Sequence, residues 1–213
     1  MADLGPIEGT GLLVIDVQNG FCDPRSEFGK RADLSAIQAA IPPIVRLIRV
    51  CHAAGLPVWF SKQEHYPNDL ARRRRTIPSH MDRGHGAPCM RGTWEVDLVP
   101  EVAAEAGPDD SIYVKHRASC FFDSPLDTEL RMRAVRRLII SGVTTNFCVD
   151  TTIREAYARD YDVIVPADAV AAAGAFPELH AATLRNVELY FGLVTTVAEV
   201  EAWLAGARKE AIV

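Results

Sequence analysis

The sequence predicts an α/β fold, in which a parallel β-sheet is covered by helices on both faces. Two observations lead to this fold class. Short and almost wholly apolar runs, the pattern of buried parallel strands, recur along the chain. Stretches with apolar residues at helical spacing separate most of these runs, and alternating strands and helices form βαβ units with right-handed crossovers.

Six apolar runs are the predicted strands. They are residues 11–17, 57–61, 111–115, 138–143, 162–166 and 192–195. A helix between the first two strands is predicted from four apolar residues at helical spacing, which are Ile44, Leu47, Ile48 and Cys51. The pair Pro42-Pro43 is expected to start or interrupt this helix, and Gly55 to end it. Further helices are predicted near residues 149–157, 181–188 and 197–207.

Length and composition favour one domain spanning residues 1–213, since 213 residues with 48% hydrophobic content can bury a substantial core. The net charge of −5 gives no electrostatic reason to expect nucleic acid or an anionic membrane as a partner. No apolar run reaches the roughly 18 residues that a membrane span needs. The N-terminal residues lack the pattern of a signal peptide, so a cytoplasmic location is expected.

The cysteines predict neither a disulfide framework nor a structural zinc site. There are five, an odd number, and no two form a CxxC pair. At least one thiol is therefore expected to be free, and Cys148 has the best reason to be reactive. It follows the fourth strand where a helix begins, so the partial positive charge of the helix start should lower its pKa. The alternative is that Cys148 is only a small buried core residue.

Asp16 and Lys115 lie at the ends of predicted strands, as does the turn that carries Cys148. The carboxyl ends of parallel strands share one rim, where ligands of open α/β sheets bind. A buried carboxylate needs a partner, and Lys115 is the natural one for Asp16. Asp16 would then accept the thiol proton and later return it, while Lys115 would keep Asp16 ionised. A purely structural ion pair is the alternative for Asp16 and Lys115.

Three segments carry a resemblance to a known family. LLVIDVQNGF at the first strand, YVKHRASCFFDSPLDTELR at the third and ISGVTTNFCVDTTIREAYARDYDVIVPADAV at the fourth resemble the isochorismatase-like cysteine hydrolases. The resemblance implies a three-layer α/β/α fold with a six-stranded, Rossmann-like parallel sheet, and a catalytic triad of Asp16, Lys115 and Cys148. It also implies a cis peptide between Val143 and Thr144, and an oxyanion hole formed by the Thr144 and Cys148 N–H groups.

The resemblance implies a hydrolase that cleaves a carbon–nitrogen bond in a small linear amide, ureido or carbamoyl compound, without a cofactor and as a homo-oligomer, a dimer or tetramer. Three segments, KHRASCFFDSPLDTELR, GTWEVDLVPEV and NVELYFG, most resemble the ureidoacrylate amidohydrolases of pyrimidine breakdown. Biuret and N-carbamoylsarcosine hydrolases resemble the chain less. The segment KQEHYPNDLARRRR departs from the ureidoacrylate enzymes, which leaves the exact substrate open.

Three alternatives differ in their chemistry. A nicotinamidase-like enzyme would keep the triad and add a metal site with an Asp-x-His pair. This chain has His65 without an Asp two residues before it, and His80 and His85 lack the usual spacing, so no catalytic metal is expected. An isochorismatase proper lacks the cysteine. A non-catalytic scaffold that binds a small ligand would not need Asp16, Lys115 and Cys148 together.

Residues outside the triad are candidates for substrate contact. The predicted substrate-binding residues are Phe21, Trp94, Phe122 and Asn146, although Asn146 could equally cap the helix that follows. The segment at residues 63–94 has no clear periodicity and is expected to be a lid or a subunit contact. Its four arginines at 72–75 form either a solvated face or a site for a carboxylate-bearing substrate or another subunit.

Overall fold

The computed structural model describes residues 4–69, 76–77, 86–174 and 177–210, and of residues 207–210 it describes the backbone alone. Its centre is a sheet of seven parallel strands. These are β1 (Thr10–Ile15), β2 (Val58–Gln63), β3 (Ser111–Lys115), β4 (Arg137–Val143), β5 (Asp162–Pro166), β6 (Val170–Ala171) and β7 (Leu193–Thr195). The main order is β3-β2-β1-β4-β5-β7, and β6 pairs with the end of β4.

The predicted fold class is confirmed. Each of the six strands in the main order overlaps one of the predicted apolar runs. The seventh strand, β6, was not predicted because two residues are too few to show a periodic pattern. The sheet reverses its direction of growth between β1 and β4, and this reversal is where open α/β sheets bind ligands.

Helices cover both faces of the sheet. They are α1 (Asn19–Cys22), α2 (Ser35–Ala53), α3 (Pro100–Ala103), α4 (Leu126–Met132), α5 (Asp150–Tyr157), α6 (Pro177–Asn186) and α7 (Val197–Glu210). A π-helical turn, Thr145–Val149, runs directly into α5, and a second one, Val187–Phe191, follows α6. In the part of the chain that the structure describes, no helix combines the length and the apolar character needed to cross a membrane.

The core consists of two apolar clusters, one on each face of the sheet. Because side chains alternate along a strand, β1 sends Leu12 and Val14 into one cluster and Leu13 and Ile15 into the other. The first cluster packs against α2 and α7, and the second against α4 and α5. All six residues of β1 are buried, which explains why it reads as a continuous apolar run.

The predicted effect of the two prolines on α2 is wrong. The helix begins at Ser35, seven residues before Pro42, and continues without interruption through Pro42 and Pro43 to Ala53. Pro42 lies on the exposed side of α2, so the carbonyl it leaves without a donor, that of the exposed residue Gln38, can bind water. The buried stripe on the opposite side continues from Ile37 to Cys51, and its packing outweighs the local cost of the prolines.

We expect Pro42→Ala to stabilise the protein. Proline in a helix interior costs about 3 kcal/mol relative to alanine. The greater freedom of the unfolded alanine chain offsets about 0.4–1 kcal/mol of this gain. The free energy of unfolding, measured by urea denaturation, should therefore rise by about 2–2.5 kcal/mol. Pro100→Ala is the matched control, since Pro100 stands at the start of α3 and should give no gain. A fall in stability for Pro42→Ala would contradict this account.

The close approach of β1 and β4 at their carboxyl ends depends on Gly142. This residue has φ +114°, and a Cβ atom there would lie 2.1 Å from the carbonyl oxygen of Ile15. Only glycine fits such a position without movement of the backbone. The chain that leaves β4 is thereby brought beside Asp16, the residue that follows β1.

Candidate active site

The three predicted catalytic residues lie together at the carboxyl rim of the sheet. Asp16 follows β1, Lys115 ends β3, and Cys148 lies in the π-helical turn after β4. The Lys115 ammonium nitrogen is 2.7 Å from Asp16 Oδ2 and 3.6 Å from Cys148 Sγ. Asp16 and Lys115 are fully buried, and Cys148 is 5% exposed. The tertiary structure thus joins residues that are more than 130 positions apart in the chain.

Lys115 is surrounded by oxygen acceptors. Its ammonium donates to Gln63 Oε1 at 3.0 Å and lies within reach of the carbonyl oxygens of Arg117 at 3.0 Å and Ala118 at 3.1 Å. Burial acts to lower the pKa of Lys115, but the charge of Asp16 outweighs it and raises the pKa above its ordinary value. Lys115 is therefore a permanent positive charge in the site.

Asp16 is held by both its backbone and its carboxylate. Its φ of +53° lies in the left-handed region, which aspartate tolerates better than most residues and which turns the chain at the end of β1. The Ser61 hydroxyl donates to Oδ1 at 2.7 Å. Oδ2 faces Lys115 as an ion pair and accepts no hydrogen bond with good geometry. This oxygen therefore has a lone pair free for a proton.

The Cys148 thiol is protonated in the resting site. Burial raises its pKa, the Lys115 ammonium acts to lower it, and Asp16 raises it again, so that the net shift is upward. The expectation of a lowered pKa is thus wrong for the resting protein, because burial of the sulfur and the charge of Asp16 together outweigh the effect of the Lys115 ammonium. A thiol in this state needs a neighbouring base to become a nucleophile.

The turn that carries Cys148 is tied to its surroundings on both sides. The peptide bond between Val143 and Thr144 is cis, as the family resemblance implies. The Thr152 hydroxyl donates to the Cys148 carbonyl at 2.7 Å and accepts from the Cys120 N–H at 3.1 Å. Thr152 thus links the turn that carries Cys148 to the loop after β3, which also supplies carbonyl groups to Lys115.

Comparison with known proteins identifies the family. Residues 10–199 match the model of the isochorismatase domain. The chain belongs to the isochorismatase family. A ureidoacrylate amidohydrolase, RutB, of Methylobacterium radiotolerans is 36% identical over 92% of this chain and 79% of its own length. The enzyme of the same name from Enterobacter sp. is 34% identical over 89% of this chain and 86% of its own length.

Solved structures agree with this family. A cysteine hydrolase of Pseudomonas syringae has a TM-score of 0.81 and 28% identity, with coverage of 95% of this chain and 96% of its own. A pyrazinamidase/nicotinamidase of Streptococcus mutans shares the fold with a TM-score of 0.74 at 23% identity, covering 87% of this chain and 99% of its own. The family and the names of these relatives confirm the predicted class, a hydrolase that acts on carbon–nitrogen bonds.

Three of the four predicted substrate-binding residues lie within seven positions of Asp16, Lys115 or Cys148 in the chain, and the carbonyl of the fourth, Trp94, accepts a hydrogen bond from Asn19. Phe21 is half-buried and packs edge-on against Phe28 at 6.1 Å, and Trp94 is 43% exposed. Phe122, 54% exposed, follows the loop that binds Lys115, and the exposed Asn146 lies two residues before Cys148. No side-chain hydrogen bond caps the turn at Thr145–Val149, so Asn146 does not act as its cap. Contact of these four residues with substrate stays a prediction.

The two ends of the segment at residues 63–94 pair with each other. The His65 N–H donates to the Cys89 carbonyl at 2.9 Å, and the Arg91 N–H donates to the His65 carbonyl at 2.9 Å. The buried carboxylate of Glu95 binds the N–H groups of Glu27 and Cys89. The arginine run at 72–75, His80 and His85 lie outside the described residues, and the lid or subunit-contact role of the segment stays a prediction.

Sequence reasoning missed the polar residues at the end of β2. The strand was predicted to end at Ser61, whereas it continues to Gln63. Ser61 and Gln63 are both buried and contact Asp16 and Lys115, while Lys62 between them is partly exposed. The signal was available, because two buried polar residues separated by one position fit the period-two alternation of a strand.

Proposed function

We propose that this protein hydrolyses a carbon–nitrogen bond in a small linear amide, ureido or carbamoyl compound, with Cys148 as the nucleophile and an acyl-enzyme as the intermediate. The observation that carries the proposal is the buried ion pair of Lys115 and Asp16, 2.7 Å in length, beside the Cys148 sulfur. A buried, protonated thiol next to a carboxylate with a free lone pair is the arrangement that general-base activation needs.

In the first half of the reaction, Asp16 accepts the proton of Cys148 and the thiolate attacks the substrate carbonyl. The negative charge that develops on the carbonyl oxygen is stabilised by the N–H groups of Thr144 and Cys148. When the carbon–nitrogen bond breaks, the electron pair stays on nitrogen, and Asp16 returns its proton to the departing amine or ammonia. Lys115 pairs with the Asp16 carboxylate before the proton is transferred and stabilises the thiolate afterwards.

In the second half, water attacks the acyl-enzyme. Asp16 accepts a proton from the water, the carbon–sulfur bond breaks, and Cys148 recovers its proton as the acid product leaves. Each proton that Asp16 accepts is returned within the same half-reaction. The cycle therefore needs neither a cofactor nor a catalytic metal. The homo-oligomer and the cytoplasmic location stay predictions.

A ureido acid of the ureidoacrylate type is the substrate class we favour. Support comes from the curated relatives, which are named ureidoacrylate amidohydrolases at 34–36% identity. The alternatives that remain are another amidase of the family, such as a biuret or N-carbamoyl amino acid hydrolase or a nicotinamidase-like enzyme, and a scaffold that binds a small ligand without turnover. The buried pair beside Cys148 favours an enzyme over the scaffold.

A substrate panel tests the proposed function. Ammonia or amine release should be measured with ureidoacrylate, biuret, an N-carbamoyl amino acid, nicotinamide and maleamate. We expect ureidoacrylate to give a kcat/KM within the range of about 10⁴–10⁸ M⁻¹s⁻¹ that is usual for enzymes on their own substrates. The other four compounds should be hydrolysed at least tenfold less efficiently. Absence of hydrolysis across the panel would contradict the proposal and favour the scaffold.

A further inference from the structure

Gln63, the last residue of β2, carries an unpaired hydrogen-bond donor inside the protein. The residue is 3% exposed, and its Oε1 accepts a hydrogen bond from Lys115 Nζ at 3.0 Å. Its other side-chain atom, Nε2, is buried and has no hydrogen-bond partner among the residues that the structure describes. The proposed roles of Asp16, Lys115 and Cys148 do not involve this amide N–H₂ group.

The orientation of the Gln63 amide follows from chemistry. An ammonium group has three donors and no acceptor, so only the oxygen of the amide can face Lys115. Rotating the amide by half a turn would place two donors against each other and leave the oxygen unpaired instead. The unpaired N–H₂ group is therefore a property of the site and not an ambiguity between nitrogen and oxygen.

The backbone of Gln63 is held in place by the side chain of Gln18. Gln18 Oε1 accepts the N–H of Gln63 at 2.7 Å, and Gln18 Nε2 donates to the Gln63 carbonyl at 3.0 Å. Gln18 Nε2 also donates to the Val96 carbonyl at 2.8 Å, and Gln18 is fully buried. With its backbone bound on both sides and its Oε1 bound to Lys115, Gln63 has little freedom to turn its N–H₂ group elsewhere.

A buried donor without a partner is unfavourable, and most such groups in folded proteins are paired or serve a function. The partner that suits an N–H₂ group is an acceptor oxygen. The sheet order places β2 on one side of β1 and the Cys148 turn, which follows β4, on the other. Lys115 Nζ contacts both Gln63 Oε1, at 3.0 Å, and Cys148 Sγ, at 3.6 Å, and β1 separates their strands, so an oxygen bound by Gln63 would be a few bonds away from the carbonyl under attack.

We propose that Gln63 is a specificity residue whose amide N–H₂ group binds an acceptor oxygen of the substrate, a carboxylate or a second carbonyl, remote from the carbonyl that Cys148 attacks. This inference rests on the proposed function and deepens it. It assigns the substrate to compounds that carry a second acceptor oxygen a few bonds away from the scissile amide or ureido group, and it excludes simple alkyl amides and ureas as good substrates.

Ligand binding to a turnover-deficient protein tests the inference. Dissociation constants should be measured by calorimetry in the Cys148→Ala background for three ureas of similar size, namely 3-ureidopropionate, 3-ureidopropionamide and propylurea. The first has a carboxylate, the second has a neutral carbonyl, and the third has no second acceptor. We expect the first two to bind at least tenfold more tightly than propylurea. Equal binding of all three, or no binding of the first two, would overturn the inference.

Two substitutions of Gln63 then separate its possible roles. Gln63→Met removes donor and acceptor, whereas Gln63→Glu keeps an acceptor for Lys115 and removes the donor. Both substitutions should weaken the binding of 3-ureidopropionamide roughly tenfold and leave the dissociation constant of propylurea within about twofold.

Three other outcomes would overturn the inference. Weaker binding in Gln63→Met alone would mean that Gln63 only supports Lys115. Loss confined to 3-ureidopropionate in Gln63→Glu would reflect charge repulsion. An equal loss of affinity for all three ureas would indicate that the Gln63 amide binds a water molecule and not the substrate.

This experiment is independent of the test of the proposed function. Binding in the Cys148→Ala background needs no hydrolysis, so a failure of the proposed chemistry leaves the binding result interpretable. A wild-type protein that hydrolyses ureidoacrylate while the Gln63 variants bind all three ureas normally would refute the role of Gln63 alone.

Discussion

Replacing Cys148 by alanine is expected to abolish turnover, with a loss of roughly 10⁴-fold or more in kcat. The physical reason is that the proposed acyl-enzyme cannot form without the sulfur, which lies 3.6 Å from Lys115 Nζ beside the Asp16–Lys115 pair. Ammonia release from the best substrate of the panel measures the loss. Mass spectrometry of the quenched wild-type reaction should show an acyl adduct that the variant lacks.

Cys51→Ala is the matched control for this substitution. Cys51 is also a fully buried free thiol, but it lies in α2 within the opposite core cluster. Its removal should lower the free energy of unfolding by about 1 kcal/mol and leave kcat within about twofold. A folded Cys148→Ala protein with wild-type turnover would show that the nucleophile has been assigned wrongly.

Replacing Asp16 by asparagine is expected to damage both activity and stability. The variant loses the group that accepts the thiol proton, so kcat should fall by roughly 10³-fold or more. It also leaves the fully buried Lys115 ammonium without its counter-ion, which should lower the free energy of unfolding by about 3–5 kcal/mol. Initial rates and urea denaturation measure the two effects separately.

The double variant Asp16→Asn, Lys115→Met separates the electrostatic cost from the catalytic role. Both charges are then gone, so most of the lost stability should return, since replacing a whole buried ion pair by uncharged groups is often neutral. Activity should stay as low as in Asp16→Asn. Full activity in the single variant would remove Asp16 from proton transfer, and unchanged stability in it would contradict the buried pair.

The fold was largely predictable because the strands are buried on both sides. Apolar runs such as β1 and β4 indicate buried strands, and their alternation with helices indicates a parallel sheet. The α2 helix shows where local rules fail. Pro42 and Pro43 predict an interruption, but a stripe of buried residues on the opposite side, from Ile37 to Cys51, keeps the helix intact. Packing against the sheet is not visible in a local pattern.

The grouping of Asp16, Lys115 and Cys148 was predictable from the sequence, but the pKa of the Cys148 thiol was not. The position of Cys148 at a helix start suggested a lowered pKa, whereas the folded site raises it, because the sulfur is buried in the second apolar cluster. Burial depends on every element that packs over the site. The sequence of one strand and one helix does not show how deeply a residue between them is buried.

The sequence by itself determined the α/β class, the family and the three residues that end or follow strands at one rim, Asp16, Lys115 and Cys148. These features depend on local periodicity and on the order of motifs, and both can be seen in the linear sequence. Only the tertiary structure decided that β2 extends to Gln63, that the amide of Gln63 turns its oxygen to Lys115, and that its nitrogen stays unpaired. Hydrogen-bond partners of buried groups are set by strands that are neighbours in space, and the sheet places Lys115 beside Gln63 although 52 residues separate them along the chain.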